Sequence, residues 1–134
     1  MKIDKVKLPE VNKNTILTRK EAEVMIILWN LPDKGGFTND IIAQYEEGQK
    51  PAYTTVATFL KILASKGFVK ISRVGAMLYY TPRVNKMDYC ARILQKATTS
   101  FFDNSTVEFI KFLIKQNELT AEDKEAIIEA IHLK

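Results

Sequence analysis

Four polar side chains recur at helical spacing near the middle of the chain: Thr54, Thr58, Lys61 and Ser65. At 100° per residue they fall within about 40° of one line along a helix. The opposite side of the same segment is apolar, with Val56, Phe59, Leu60 and Leu63. Hydroxyl and ammonium groups hydrogen-bond to base edges and to phosphates, and a helix face without carboxylates does not repel a polyanion. The spacing therefore predicts a helix face that contacts nucleic acid.

The distribution of charge supports the same interpretation. The chain carries 20 Lys and Arg against 16 Asp and Glu, for a net charge of +4. The stretch from Gly48 to Met87 contains no acidic residue, and its cations are Lys50, Lys61, Lys66, Lys70, Arg73, Arg83 and Lys86. Such a block favours a surface for a polyanion, most often nucleic acid, although chance clustering on a solvated face is the alternative.

The residue types that most enzymes and metal sites require are scarce. The chain has one cysteine, Cys90, and one histidine, His132. These counts exclude an intramolecular disulfide and a cysteine metal cluster, and they argue against histidine-based catalysis or metal binding. The acidic residues cluster at helix starts, where they serve as caps. We therefore expect no enzyme, no metal and no cofactor.

The 134 residues correspond to one or two small domains, and a composition of 46% hydrophobic and 27% charged residues is typical of a globular protein. No apolar run approaches the roughly 18 residues of a membrane-spanning helix, and the N-terminus lacks a secretory signal. We expect a cytoplasmic protein that does not bind membranes.

Capping signals divide the first part of the chain into helices. Residues 1–17 show no sustained period and are expected to form a loose arm. Thr18 followed by Glu21 is a capping box that begins the first helix. Thr38 is expected to cap a second, short helix together with Asn39.

The third helix, over about residues 52–66, ends at Gly67, where a left-handed residue is favourable. The period then changes from 3.6 to 2 on both sides of Gly75, which predicts a β-hairpin. Three short helices followed by a two-stranded ribbon are the order of a winged helix-turn-helix. Residues 18–82 are therefore predicted to be a winged-helix DNA-binding domain in a mainly α protein.

The rest of the chain, residues 83–134, is predicted to form three helices, of which the second and third begin at Ser105 and Thr120. Three helices cannot hide so many apolar side chains, so we expect the same segment of a second chain to cover them. This C-terminal three-helix dimerisation domain is predicted to pair through Tyr89, Ile93, Ala97, Phe101, Phe102, Phe109, Phe112, Leu113, Ile127 and Ile131.

The predicted contacts with double-stranded DNA come from three elements. The third helix enters the major groove, the hairpin reaches phosphates or the minor groove, and the second helix holds the other strand. The predicted residues are Thr38, Tyr53, Thr54, Thr55, Thr58, Lys61, Ser65, Lys70 and Arg73. A homodimer would then bind a dyad-symmetric operator and repress transcription by occupying a promoter. The alternative is a winged-helix protein–protein interaction module without DNA specificity.

Several runs carry a resemblance to a known family: EAEVM at 21–25, TVATFLKIL at 55–63, KGF at 66–68, YYTP at 79–82, FIKFL at 109–113 and LTAED at 119–123. The chain resembles the penicillinase repressor family, which regulates β-lactamase and methicillin resistance. The resemblance implies a homodimeric winged-helix repressor with a C-terminal dimerisation domain. It places Thr54, Thr55, Thr58 and Lys61 on the recognition helix.

The chain departs from the family pattern at three places. Family wings often carry an arginine after the turn glycine, where this chain has Ala76. Several members are cut by a receptor-linked protease at an Asn-Phe bond in the first dimerisation helix, and the matching residues 96–99 here are Lys-Ala-Thr-Thr. The copper-responsive branch has a C-terminal cysteine cluster that Cys90 alone cannot supply. The resemblance therefore identifies no sensor, protease or releasing metal.

Overall fold

The computed structural model describes residues 15–133. The expected arm at residues 1–17 thus lies outside the described residues, apart from its last three. The order of elements is α1 (Arg19–Asn30), β1 (Gly36–Phe37), α2 (Thr38–Ile42), α3 (Tyr53–Ser65), β2 (Val69–Val74), β3 (Met77–Pro82), α4 (Lys86–Phe101), α5 (Thr106–Gln116) and α6 (Ala121–His132). The chain is mainly α, and α1–α3 followed by the β2–β3 hairpin form the expected winged helix-turn-helix.

Two compact units divide the chain, the first ending at Arg92 and the second beginning at Ile93. The sequence placed the boundary after residue 82. The first unit extends further because Val84 and Tyr89 are buried in its core. The first two turns of α4 therefore complete the winged-helix unit.

The predicted capping box at the start of α1 is confirmed. The Thr18 hydroxyl accepts from the Glu21 amide at 3.3 Å, and the Glu21 carboxylate accepts from the Thr18 amide at 2.9 Å. At the end of α3, Gly67 has φ +83°, and the Phe68 amide donates to the Leu63 carbonyl at 2.9 Å. This is the left-handed C-terminal motif that the glycine predicted.

The sheet contains one strand more than the sequence predicted. β1 pairs antiparallel with β3, so the strand order is β1-β3-β2. A Cβ built on Gly36 would lie 2.7 Å from Leu31 Cδ1, and one built on Gly35 would lie 2.9 Å from the Tyr80 carbonyl oxygen. Gly35 thus allows the backbone to lie directly against β3, and Gly36 leaves room for the Leu31 side chain. The sequence indicated both glycines only as helix terminators.

The hairpin forms as predicted, with Val74 opposite Met77 and a two-residue turn between them. Gly75 opens the turn at φ +61°, a conformation that glycine adopts at no steric cost. Tyr80 on β3 is buried in the core, so one face of the hairpin packs against the helices and the other faces solvent.

Tyr89 was predicted to lie in the dimer interface, and this was wrong. Its side chain is 5% exposed within a single chain. The ring packs edge-on against Phe68 with centroids 5.5 Å apart, and the hydroxyl accepts from the Leu17 amide at 2.7 Å. Tyr89 therefore belongs to the core of the first unit.

The second unit, residues 93–134, has almost no core of its own. Neither α5 nor α6 contains a buried residue. The ring of Phe102 packs against Phe109 and Phe112, both with centroids 5.3 Å away. The apolar side chains that remain exposed are Ile93, Leu94, Phe101, Val107, Ile110, Phe112, Leu113, Ile114, Ile128, Ile131 and Leu133. The unit thus leaves uncovered much of the surface that its helices would bury in a closed bundle.

One partly buried ion pair joins α1 to the C-cap residue of α3. The Lys66 ammonium lies 2.8 and 2.9 Å from the two carboxylate oxygens of Glu21, which is only 4% exposed. Burial alone raises the pKa of Glu21, but the hydrogen bonds from Lys66 and Thr18 outweigh it, so the pKa lies below its usual value of 4.5. The charged carboxylate therefore stabilises the fold.

We expect Glu21→Gln to lower the free energy of unfolding by about 2 kcal/mol at neutral pH, because the partly buried Lys66 ammonium loses its counter-charge. Since the folded pKa of Glu21 is depressed, its contribution is present above the unfolded value and is lost as pH falls through the folded value. Urea unfolding measured at successively lower pH should show the difference between wild type and variant disappearing as pH falls through the folded pKa of Glu21.

Glu23→Gln is the matched control, because Glu23 pairs with Arg19 and Lys20 at 3.8 and 3.9 Å on the exposed side of α1. We expect it to change stability by less than about 0.5 kcal/mol. An equal loss of stability in the two variants would contradict a special role for the buried pair.

Candidate nucleic-acid interface

The third helix has the two faces that its sequence predicted. Val56, Leu60 and Leu63 are 0% exposed and pack in the core of the first unit. The predicted contact residues on this helix are all exposed: Tyr53, Thr54, Thr55, Thr58, Lys61 and Ser65. Since α3 contains no acidic residue, its solvent face carries hydroxyls and one cation. The rotation of α3 about its axis is thus the one that a groove contact requires.

Two hydroxyls on this face are engaged with the backbone of the helix. Thr58 Oγ1 donates to the Thr54 carbonyl at 2.8 Å, and Ser65 Oγ donates to the Ile62 carbonyl at 2.6 Å. A hydroxyl that has donated its proton retains lone pairs and so acts as an acceptor. In this arrangement the two side chains match the exocyclic amines of adenine and cytosine better than they match phosphates.

The N-terminus of α3 is open to a ligand. Its N-cap residue, Ala52, supplies no side-chain hydrogen bond to the first turn. First-turn amides and the helix dipole favour an anion there. Tyr53 and Thr55 lie in this turn and are exposed, so they adjoin the place where a phosphate oxygen would be held.

The acid-free block of the sequence is partly neutralised in the fold. Lys66 pairs with Glu21, and the Lys50 ammonium lies 3.3 Å from a carboxylate oxygen of Glu47. Both carboxylates come from outside the block, which is why the linear sequence overstated its charge. Within residues 15–133, Lys61, Lys70 and Arg73 have no carboxylate partner. Two of the block's seven cations are thus neutralised, and those that remain unpaired on α3 and the hairpin are Lys61, Lys70 and Arg73.

The two hairpin cations are exposed but do not lie together. Lys70 pairs across the hairpin with Thr81, and Arg73 pairs with Leu78. Because side chains alternate along a strand, Arg73 shares the face of buried Val69 and Tyr80, whereas Lys70 lies on the solvent face. The two residues can therefore contact only different parts of a partner.

The tip of the hairpin has an apolar surface that sequence reasoning missed. Val74 and Met77 face each other across the turn and are both about half exposed. Strand periodicity indicates that both lie on one face, but nothing in the local sequence shows that the tip extends beyond the core.

The predicted contact at Thr38 was wrong. Thr38 is 2% exposed and is the first residue of α2, not its cap. The N-cap is Phe37, whose amide donates to the Asp40 carboxylate at 2.8 Å. The first turn of α2 thus carries a negative charge, and the Thr38 hydroxyl is not accessible to a phosphate.

The other predicted interface residues all lie in the second unit. Among them, Phe101 is 80% and Ile131 is 65% exposed, while Phe102 and Phe109 are half-buried against each other. Ala97 and Ile127 are also half-buried, and Ile93, Phe112 and Leu113 are exposed. The pairing of two chains through these residues stays a prediction.

Neither a metal site nor a membrane span is present in the part of the chain that the structure describes. Residues 15–133 contain no group of three or more His, Cys, Asp or Glu side chains that could hold a metal ion. None of the helices they form is long and apolar enough to cross a bilayer.

Comparison with solved structures places the fold among known ones. The complex structure of hsRosR-S4 matches with a TM-score of 0.50 and 18% identity, over 86% of this chain and 96% of that one, which supports the fold alone. The solution structure of the DNA binding domain of the repressor BlaI is 26% identical over 62% of this chain and 92% of that one, with a TM-score of 0.44.

Comparison of sequences is more specific. The penicillinase repressor of Bacillus licheniformis is 22% identical over 103 residues, which are 77% of this chain and 79% of that protein. The family model described as penicillinase repressor matches residues 17–132, which include every described helix and strand. Because this match extends from the start of the capping box to the last turn of α6, the chain belongs to the penicillinase repressor family.

Proposed function

We propose that the chain is a transcriptional repressor that binds double-stranded DNA through α3. The observation that carries the proposal is the solvent face of this helix, which combines exposed hydroxyls and Lys61 with no carboxylate. An α-helix with side chains is about 10–12 Å across and the major groove is about 12 Å wide, so one helix fits. Family membership supports a regulatory function rather than a catalytic one.

Different residues serve recognition and positioning. Thr54, Thr58, Lys61 and Ser65 lie on the line of α3 that would face base edges. The first turn, with Tyr53 and Thr55, would hold a phosphate of the same groove. Lys70 and Arg73 would contact backbone phosphates at separate places, because they lie on opposite faces of the hairpin.

The second unit is proposed to join two chains into a homodimer. Its helices α5 and α6 bury no residue in a single chain, and exposed apolar surface of this extent marks an association surface. Two copies related by a two-fold axis would present two α3 helices to one duplex, which corresponds to a dyad-symmetric operator. Such a dimer would repress by occupying the promoter.

We assign DNA binding and dimerisation to the two units that meet at Arg92 and Ile93, rather than to segments divided after residue 82. Residues up to Arg92 are proposed to bind DNA, because Val84 and Tyr89 complete the core that holds α3. Residues 93–134 are proposed to dimerise.

Selection of duplexes from random DNA by the purified protein tests the function directly. We expect the bound pool to converge on an inverted repeat, because a symmetric dimer reads the same half-site twice. A pool that stays random, or that converges on an asymmetric site, would contradict specific binding by a symmetric dimer.

Replacement of Lys61 and replacement of Lys70 should weaken DNA binding in different ways. We expect Lys61→Ala to weaken binding to the selected operator by about tenfold or more and to relax specificity at the contacted base pair. Lys70→Ala should weaken binding to every sequence alike and reduce the salt slope by about one unit. Affinities measured over a range of salt concentrations, on operator and random duplexes, separate the two.

Lys124→Ala serves as the control, since Lys124 is an exposed lysine of α6 in the second unit. It should leave both affinities unchanged. If Lys61→Ala and Lys70→Ala also leave operator affinity unchanged, the proposed DNA face is wrong.

Dimerisation is tested by placing a charge on the exposed apolar surface. We expect Phe101→Asp together with Ile131→Asp to convert the protein from a species of twice 15.3 kDa to a monomer, because both side chains are largely exposed in one chain. Sedimentation velocity measures the change. A buried charge at an interface without a partner costs several kcal/mol.

Val74→Asp is the matched control, because Val74 is an exposed apolar residue of the first unit. It should remain dimeric. A wild-type protein that sediments as a monomer at micromolar concentration, or a double variant that remains dimeric, would overturn the proposed interface.

A further inference from the structure

A cavity of about 490 Å³ lies in the first unit, on residues that the proposed DNA face does not use. Its walls come from the end of α1, the turn before β1, and the segment that leads from β3 into α4. The volume falls within the range of small-molecule sites. The cavity is formed by a single chain, so it requires no second copy.

The charges lining this cavity have one sign. Lys34, Arg83 and Lys86 contribute cations, and no carboxylate lines it. Within the described residues, Lys34 and Lys86 have no ion-pair partner. The first turn of α4 adjoins this wall, but the Asn85 side chain already accepts from the Met87 amide at 2.8 Å, and Asp88 lies in the same turn. The lysines therefore supply the positive charge of the cavity. The two lysines without an ion-pair partner favour an anion.

Apart from Asn85, the remaining wall residues are apolar. Trp29 and Met87 line the cavity, and Met87 is an apolar side chain that is largely exposed. The indole N–H of Trp29 already donates to the Val84 carbonyl at 2.8 Å, so the ring presents its apolar surface without an unsatisfied donor. A ligand that fits needs both an anionic group and an apolar body.

We propose that this cavity binds a small organic anion, a carboxylate or phosphate ester that carries a ring or hydrocarbon chain. Lys34 and Lys86 hold the anionic group, and Trp29 and Met87 contact the apolar part. Binding at this site does not depend on the proposed DNA binding, because the cavity lies apart from the exposed face of α3 in its lining residues.

Trp29 is the only tryptophan of the chain, so its fluorescence reports directly on the cavity. The full-length protein is titrated, without DNA, with phenyl phosphate and with benzoate, which distinguish a phosphate from a carboxylate. We expect a saturable change in Trp29 emission with at least one of them. Benzyl alcohol and inorganic phosphate, which each lack half of the required chemistry, should bind at least about tenfold more weakly.

Two variants test the two halves of the site. Lys34→Gln with Lys86→Gln should weaken binding of the anion about tenfold or more, and Met87→Gln should weaken it through loss of the apolar wall. Lys124→Gln, in α6, is the control and should bind as the wild type does. Urea unfolding midpoints of these exposed-site variants check that the fold is unchanged.

Absence of saturable binding by both aromatic anions overturns the proposal, as does binding that the double lysine variant leaves unchanged. Equal binding of inorganic phosphate overturns the ligand class. If neither anion binds and the lysine variant instead loses affinity for DNA, the two lysines belong to the DNA interface and the cavity is not a ligand site.

Discussion

The fixed rotation of α3 is the constraint on which the rest of the molecule depends. Val56, Leu60 and Leu63 are completely buried, and each contributes about 2 kcal/mol through removal of apolar surface from water. Turning the helix by even a quarter would expose these side chains and bury hydroxyls and Lys61. The core therefore keeps the polar, acid-free line of α3 in solvent, where a groove can receive it.

The two ends of α3 differ in the contacts they make. At its C-terminus, Lys66 pairs with Glu21 of α1, and the left-handed Gly67 directs the chain into β2. At its N-terminus no side chain caps the first turn. The C-terminus of α3 is thus fixed by contacts with the rest of the fold, whereas its N-terminus has no side-chain cap. An uncapped N-terminus is the end of a helix that favours a phosphate.

The two units differ in how many side chains they bury. The first unit buries aliphatic and aromatic side chains from every one of its helices and from its hairpin. The second unit has helices with well-formed caps at Ser105 and Thr120 but hardly any buried side chain. Local hydrogen bonds begin these helices, but caps worth about 1 kcal/mol each do not replace a core. The exposed apolar surface of the second unit is the reason for the association that we propose there.

Features that depend on a few neighbouring residues were determined by the sequence alone. The capping box at Thr18 and Glu21, the C-terminal Gly67, the turn at Gly75 and the two faces of α3 all follow from periodicity and local sterics. These interactions span at most one helical turn or one hairpin, so a linear reading contains all of their partners.

Tertiary structure decided whatever joins residues that are far apart in the chain. The Glu21–Lys66 pair spans 45 positions and the Leu17–Tyr89 hydrogen bond spans 72, so no local pattern could indicate that Lys66 is neutralised or that Tyr89 lies in a core. Thr38 was misplaced for the same reason, since its burial depends on the elements that pack around α2. Burial and charge pairing are sums over all neighbours in space, and the order of residues along the chain specifies only the nearest of them.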